Sequence, residues 1–342
     1  MKRTELKELG EFGLIDHLTK AFAHKHASTI KGVGDDAAAI RYASEGPLTL
    51  VSSDMLVEGI HFDLAYTPLK HLGYKAAVVN FSDIYAMNAR PKQLLVNMAL
   101  SNRFSVEAME ELYAGIQLAC DIYGVDLVGG DTTSSLKGLV LSLTIMGEQA
   151  ADKVVYRRGA KAGDLLCVTG HLGGAYLGLQ LLEREKQIFL EQPDMEPDFD
   201  GEEELVGRLL KPEARQDIIA FFEEQKLVPT AMIDISDGLS SEALHLCKQS
   251  GLGLLLEEVH VPIKEKVYRK ALDFNLDPLV CAMHGGEDYE LLFCIDPKDA
   301  DKIKYNMDIS IIGEMVPAAD GIRLQTKGGK LMDLVAQGWT HH

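Results

Sequence analysis

Leu48-Thr49-Leu50-Val51-Ser52-Ser53-Asp54, continued by MLVEGIHF to residue 62, begins as an alternating apolar run and arrives at an acid. Residues 48–53 read as a strand that ends at Asp54. Downstream, Pro68 opens a helical stretch to about Ala89, with Leu72, Ala76, Val79 and Ile84 on its apolar side. Residues 92–100 read as a strand and 105–123 as an amphipathic helix. A short strand, 125–128, runs into Gly129-Gly130-Asp131, and 138–147 is a further strand. The polar stretch EQAADK near residue 150 marks a boundary. Beyond it come strand 164–169, helix 173–185, strand 231–235, helix 238–249, strand 289–295, helix 298–306 and strand 309–316. Tyr289, Leu291 and Phe293 read as core positions of the strand at 289–295. Strands and helices alternate without strict β-α order, so the expected class is α+β, with two α+β domains at 1–150 and 151–342.

The totals agree with a chain that folds around full cores. Of 342 residues, 46% are hydrophobic and 25% charged. The formal net charge of −18 argues against a nucleic-acid partner, because a phosphate backbone needs a basic face. Five cysteines, an odd number with no C-x-x-C, read as reduced thiols of a cytoplasmic protein. MKRTELKELGEFGLIDHL lacks the apolar core of a signal peptide, and no run is long enough to span a membrane. The acidic segment 191–204 reads as a solvated loop.

One pattern recurs: an apolar run, then small residues, then an Asp. It appears at Asp54, at Gly130-Asp131, and at Asp234-Ile235-Ser236-Asp237; Asp35-Asp36 and Asp83 add two further acidic segments. Asp beside Gly and Ser is ordinary turn chemistry, and spacing alone does not bring these segments together. If they converge, like charges require counter-cations. Oxygen donors without His or Cys suit Mg²⁺, and magnesium carries phosphates, which would reconcile an acidic protein with a nucleotide. The chain has no G-x-x-x-x-G-K-[ST] loop, no protein-kinase motif set and no H-E-x-x-H. From the residues alone, a metal-dependent phosphohydrolase and a non-catalytic nucleotide-binding protein stay open beside a phosphotransferase.

GVGDDAA (32–38), VSSDMLVEGIHF (51–62), NFSDIYAMNARP (80–91), VGGDTT (128–133), DISDGLSSE (234–242) and GGEDYELLF (285–293) resemble, in order, the motifs of the thiamine-monophosphate kinase family. That family belongs with the aminoimidazole ribonucleotide synthetase-like proteins. The resemblance implies a homodimer whose N-terminal domain forms the ATP and magnesium site and the dimer interface. It implies ATP as co-substrate and several Mg²⁺ per site, with K⁺ as a further candidate cation. Carried over by motif, Asp36, Ser52, Ser53, Asp54, Asp83, Asp131, Asp234 and Asp237 would hold or approach metal. Gly130, Asp131, Arg157 and Ser236 would contact ATP, with Asp131 and Arg157 closest to the transfer. His61, Glu287 and Trp339 would line the thiamine phosphate site. Three departures stand out: Ser52-Ser53-Asp54 for the usual Ser-Thr-Asp, Met87-Asn88-Ala89 for Met-Gly-Ala, and an insertion at 186–204.

The implied reaction suits these residue types. A phosphate monoester is mostly dianionic at pH 7. It needs no general base, which fits the absence of a Ser–His pair. The chemical problem is repulsion between two anions, and divalent cations with a guanidinium such as Arg157 address that.

Overall fold

The structure, a computed structural model, describes residues 10–21, 24–43 and 45–336. Trp339 lies outside the described residues. Two sheets divide the strands. The first holds β1 (Thr29–Lys31), β2 (Ala38–Ile40), β3 (Leu48–Val57), β4 (Arg90–Leu100), β5 (Asp126–Ser134) and β6 (Leu139–Gln149), in the order β1-β2-β3-β6-β4-β5. Neighbours are antiparallel except β4 and β5, which run parallel. Helix α1 (Gly10–Thr19) precedes this sheet; α2 (Leu69–Ala86) follows β3, and α3 (Val106–Tyr123) makes the crossover that a parallel pair requires. Ser105 caps α3, accepting the Ala108 N–H at 3.2 Å, and Gly124 ends it in the left-handed region.

The second sheet holds β7 (Leu165–Thr169), β8 (Ala231–Asp234), β9 (Gly253–Glu257), β10 (Leu291–Ile295), β11 (Ile309–Val316), β12 (Ile322–Gln325) and β13 (Leu331–Asp333). Its order is β13-β12-β9-β11-β7-β10-β8. Helices α4 (Gly174–Glu191), α5 (Glu203–Leu210), α6 (Gln216–Gln225), α7 (Leu239–Ser250), α8 (Glu265–Asp273), α9 (Pro278–His284) and α10 (Ala300–Ile303) complete this half. No helix among the described residues is long and apolar enough to cross a membrane. All five cysteines are buried free thiols.

Helix α2 is the element on which the site depends. An ordinary surface helix buries one stripe; α2 buries residues on every side. Its inner residues Leu72, Ala76 and Phe81 share one continuous core with Leu94 and Leu143 of the first sheet. Met232 of β8 and Leu291 and Phe293 of β10 belong to that same core. The two halves are therefore packed through α2.

The structure corrects several boundaries. β3 continues past Asp54 to Val57, and β5 continues past Asp131 to Ser134, so both acids sit within strands rather than after them. Tyr289 is not a strand residue: β10 starts at Leu291, and Tyr289 has φ 50°. The helix expected at 298–306 shortens to Ala300–Ile303. In the segment 186–204, residues up to Glu191 extend α4 and Glu203 begins α5, which leaves a loop at 192–202 that is largely exposed. Asn88 has φ 56°, the left-handed region that Gly and Asn tolerate best. Its side chain donates to the Lys153 carbonyl at 2.9 Å, so the amide both permits the turn and ties it down.

Candidate active site

Four segments distant in sequence meet at one end of a cleft of about 940 Å³. The turn before β2 brings Asp35 and Asp36, β3 brings Ser52 and Asp54, α2 brings Asp83, and the end of β8 brings Asp234. One carboxylate oxygen from each of Asp36, Asp83 and Asp234 lies within 4.8 Å of the others. The Ser52 hydroxyl donates to Asp83 Oδ2 at 2.5 Å, and the Ser82 hydroxyl donates to Asp234 Oδ2 at 2.6 Å. Arg157 Nη2 donates to Asp36 Oδ1 at 2.7 Å, and the Arg157 backbone N–H donates to Asp35 Oδ1 at 2.8 Å. Asp36 Oδ2 is buried without a hydrogen-bond partner.

The electrostatics are those of an overcrowded anion site. Burial, and then the charges of Asp54, Asp234 and Asp36, hold the Asp83 carboxyl well above its ordinary value. Burial and then Asp36 push Asp234 up to about 7. Burial and Asp36 also raise Asp35. Burial opposes the Arg157 charge, but Asp36, Asp234 and Asp35 outweigh it and keep the guanidinium protonated. Such a group of oxygens, too close to ionise together and partly unsatisfied, suits a hard divalent cation. Asp237 and Ser236 line the same cleft. The Asp237 N–H donates to Glu242 Oε1 at 3.0 Å, so a buried glutamate fixes that turn. Ser53 also lines the cleft, but its hydroxyl donates to the Leu143 carbonyl at 2.9 Å and meets Thr144 Oγ1 at 2.9 Å, away from Asp83.

Beyond the carboxylates the cleft is lined by His61, Tyr66, Lys75, Glu183 and Glu287, and Tyr289 lies between, near both Glu287 and the acid cluster. Lys75, Val79 and Asp83 recur every fourth residue, so one stripe of α2 runs the length of the cleft. Eight residues of helix separate Lys75 from Asp83 by ~12 Å. Glu287 has φ 60° and Gly286 φ 66°. The Glu287 N–H donates to the Ser236 carbonyl at 2.7 Å, and the Tyr289 N–H donates to the Ile235 carbonyl at 2.9 Å. A Cβ on Gly286 would stand 2.4 Å from the Ser236 carbonyl oxygen, so the two loops approach only through glycine. Gly286→Ala is expected to destabilise the chain by about 2–4 kcal/mol, read as a lower urea midpoint. An unchanged midpoint would remove that close approach as a constraint. Behind the loop, Glu290 accepts from Thr169 Oγ1 at 2.7 Å and from Arg208 at 3.1 Å, which anchors the segment in the second half. His61 Nδ1 accepts the Val57 N–H at 3.0 Å, which orients the ring and leaves the neutral imidazole proton on Nε2.

Gly130 and Asp131 do not join this group within one chain. β5 is an exposed edge strand. In register, Asp54 faces Leu143, then Val96, then Gly130, three inter-strand steps or roughly 14 Å away. The next row is Met55, Ser142, Asn97 and Asp131, so Asp131 stands on the sheet face opposite the acid cluster. A one-residue bulge decides this. Leu94 pairs with Leu127 but Leu95 pairs with Gly129, so Val128 is skipped and every later side chain changes face. Gly130, at φ 155°, would put a Cβ 1.8 Å from the Val96 carbonyl oxygen, so only glycine fits there.

Lys75 and Tyr289 are cleft residues that reading the sequence overlooked. A signal for Lys75 existed: a cation followed directly by Ala76-Ala77-Val78-Val79 in the helix, eight residues before a candidate ligand. Tyr289 carried none, because its alternation with Leu291 imitates a strand.

Residues 34–149 match the family model for the AIR synthase related protein, N-terminal domain, and residues 161–324 match that for its C-terminal domain. The thiamine-monophosphate kinase of Aquifex aeolicus is 35% identical over 331 residues, 95% of this chain and 99% of that protein. The chain belongs to the thiamine-monophosphate kinase family. The Bacillus subtilis member is 32% identical over 86% of each chain. AaThiL complexed with AMPPCP and TMP superposes with a TM-score of 0.83, at 32% identity and with all of both chains covered. The acidic segments that the sequence resemblance singled out are those that build the cluster and line the cleft, apart from the one on β5.

Proposed function

We propose that this chain transfers the γ-phosphoryl group of ATP to thiamine monophosphate, forming thiamine diphosphate. The convergence of Asp36, Asp83 and Asp234 at one end of a cleft that ends at Glu287 is the observation that carries the reading. The family's activity supports it, as does a relative that takes AMPPCP and TMP together. The residues fit magnesium: the donors are hard oxygens, two of the carboxyls are raised by burial and then by the charge of neighbouring carboxylates, and Asp36 Oδ2 lacks a partner.

Asp36, Asp83 and Asp234, with Asp54 and Asp237 beside them, would hold several Mg²⁺ ions. Bound there, magnesium would screen the repulsion between donor and acceptor phosphates and favour an in-line approach. Arg157 brings a fixed positive charge to the same place, oriented by Asp36, and Ser236 lies at the turn beside it. His61 and Glu287 face the organic part of the acceptor. The dianionic acceptor attacks without a general base, so the protein's task is to align two anions and exclude water.

The reading includes two copies of the chain. Met55 on the outer face of the first sheet, and Leu127 and Val128 at its edge, are about half exposed. An open edge strand beside an apolar face invites pairing. Two copies meeting there would let Gly130 and Asp131 of each reach the phosphates held by the other. Incubating the chain with MgATP and thiamine monophosphate is expected to yield thiamine diphosphate, measured by fluorescence after oxidation to the thiochrome ester. Phosphate release from ATP without transfer to the acceptor would replace this reading by a phosphohydrolase.

A further inference from the structure

We infer that Lys75 is a positioning residue that fixes the Glu287 carboxylate, and that the two together read the aminopyrimidine end of the acceptor. The inference rests on thiamine monophosphate being that acceptor.

Lys75 is only 4% exposed, within a helix that is buried nearly all round. A buried ammonium persists only where it is paired. Among the described residues, the ion-pair partner of Lys75 is Glu287. Glu287 keeps 29% of its side chain exposed, and both residues line the cleft. The backbone of Glu287 is already held by the Ser236 carbonyl, so the side-chain torsions are what Lys75 restrains.

Placement adds a length argument. Lys75 stands two helical turns, ~12 Å, from Asp83 on the same stripe of α2. A ligand whose phosphate lies at Asp83 must be about that long for its far end to reach the Lys75–Glu287 pair. Thiamine monophosphate is an extended molecule with its phosphate at one end and the pyrimidine at the other. The chemistry then matches in sign. An aminopyrimidine offers an exocyclic N–H donor beside a ring-nitrogen acceptor. The pair offers a carboxylate acceptor beside an ammonium donor. Because Lys75 offsets the Glu287 charge, this end favours a flat polar ring with one donor and one acceptor over a simple cation.

Steady-state kinetics on Lys75→Met and Lys75→Arg test this, using two acceptors: thiamine monophosphate, and the phosphate ester of the hydroxyethylthiazole, which lacks the pyrimidine. Lys75→Met is expected to raise KM for thiamine monophosphate on the order of 10–100-fold, the worth of a hydrogen bond to a charged group. KM for ATP should move far less, and Lys75→Arg should restore part of the loss. With the thiazole phosphate the substitution should change kcat/KM little. Thermal unfolding of each variant separates loss of fold from loss of recognition. Equal losses with both acceptors, or a KM for ATP that rises in step, would make Lys75 a brace for α2 and overturn the inference. An active wild type with an indifferent Lys75→Met would overturn the inference alone. A wild type that forms no thiamine diphosphate would overturn it together with the kinase reading.

Discussion

Asp83→Asn is expected to abolish phosphoryl transfer and, in the same protein, to raise the stability of the metal-free chain. Both effects follow from one crowded site. Asp83 is buried among Asp54, Asp234 and Asp36, and its carboxyl titrates well above the ordinary value. Removing that charge deletes a proposed metal ligand, so turnover should fall at least on the order of 100-fold, beyond the loss seen when only an outer partner of a metal ligand is changed. The same change relieves repulsion on Asp234 and Asp36. A carboxyl whose pKa is higher folded than unfolded binds its proton more tightly in the folded chain. Its contribution to stability is complete below the unfolded value and is lost as pH rises through the folded one. For Asp234, which moves from 3.8 to about 7, that loss falls between these two values. It amounts to on the order of 4 kcal/mol. Urea unfolding in EDTA should therefore show wild type weakening from pH 5 to pH 8, with a shallower decline in Asp83→Asn. Magnesium with a nonhydrolysable ATP analogue should restore wild type at pH 8 and do little for the variant. A variant less stable than wild type in EDTA would refute the crowding account.

Asp131→Asn should also lose most activity while remaining folded, because its side chain stands on an exposed edge strand and supports no core. The informative experiment mixes two inactive proteins. If Asp131 serves the site of a second copy, an Asp131→Asn chain paired with an Asp83→Asn chain carries one site with both residues intact. Random exchange makes half the dimers mixed, each with one of two sites restored, so activity should return to about a quarter of wild type. If Asp131 served its own chain, every site in the mixture would lack one residue and no activity would return. Full activity of Asp131→Asn alone would remove the residue from the mechanism.

Much of the fold was legible because it rests on local rules. Pro68 began a helix, and the expected helix at 105–123 and strand at 309–316 match α3 and β11 almost residue for residue. The convergence of Asp36, Asp83 and Asp234 was expected only on condition, since nothing local sets distances between residues 36, 83 and 234. Asp131 was assigned to the same group by motif, yet within one chain it stands on the other side of the sheet. The reason is the single skipped residue at Val128, and one unit of register inverts a whole strand. Asn88 carried a readable clue: it stands where the motif resemblance leads one to expect glycine, and its positive φ is one that Gly and Asn tolerate best. Tyr289 misled because a left-handed residue before a strand can preserve the apolar spacing of the strand itself.

The helix that lines the cleft is also enclosed on nearly every side by the rest of the chain. Lys75 and Asp83 therefore share their fate with Phe81 and Leu72, which are fully buried. A local fraying that spares the remainder of the molecule cannot release one end of the substrate while keeping the other, since neither end of the site has a hinge of its own on α2. Inactivation by denaturant should accordingly track global unfolding, and amide hydrogens at 75–83 should be among the slowest in the chain to exchange with heavy water.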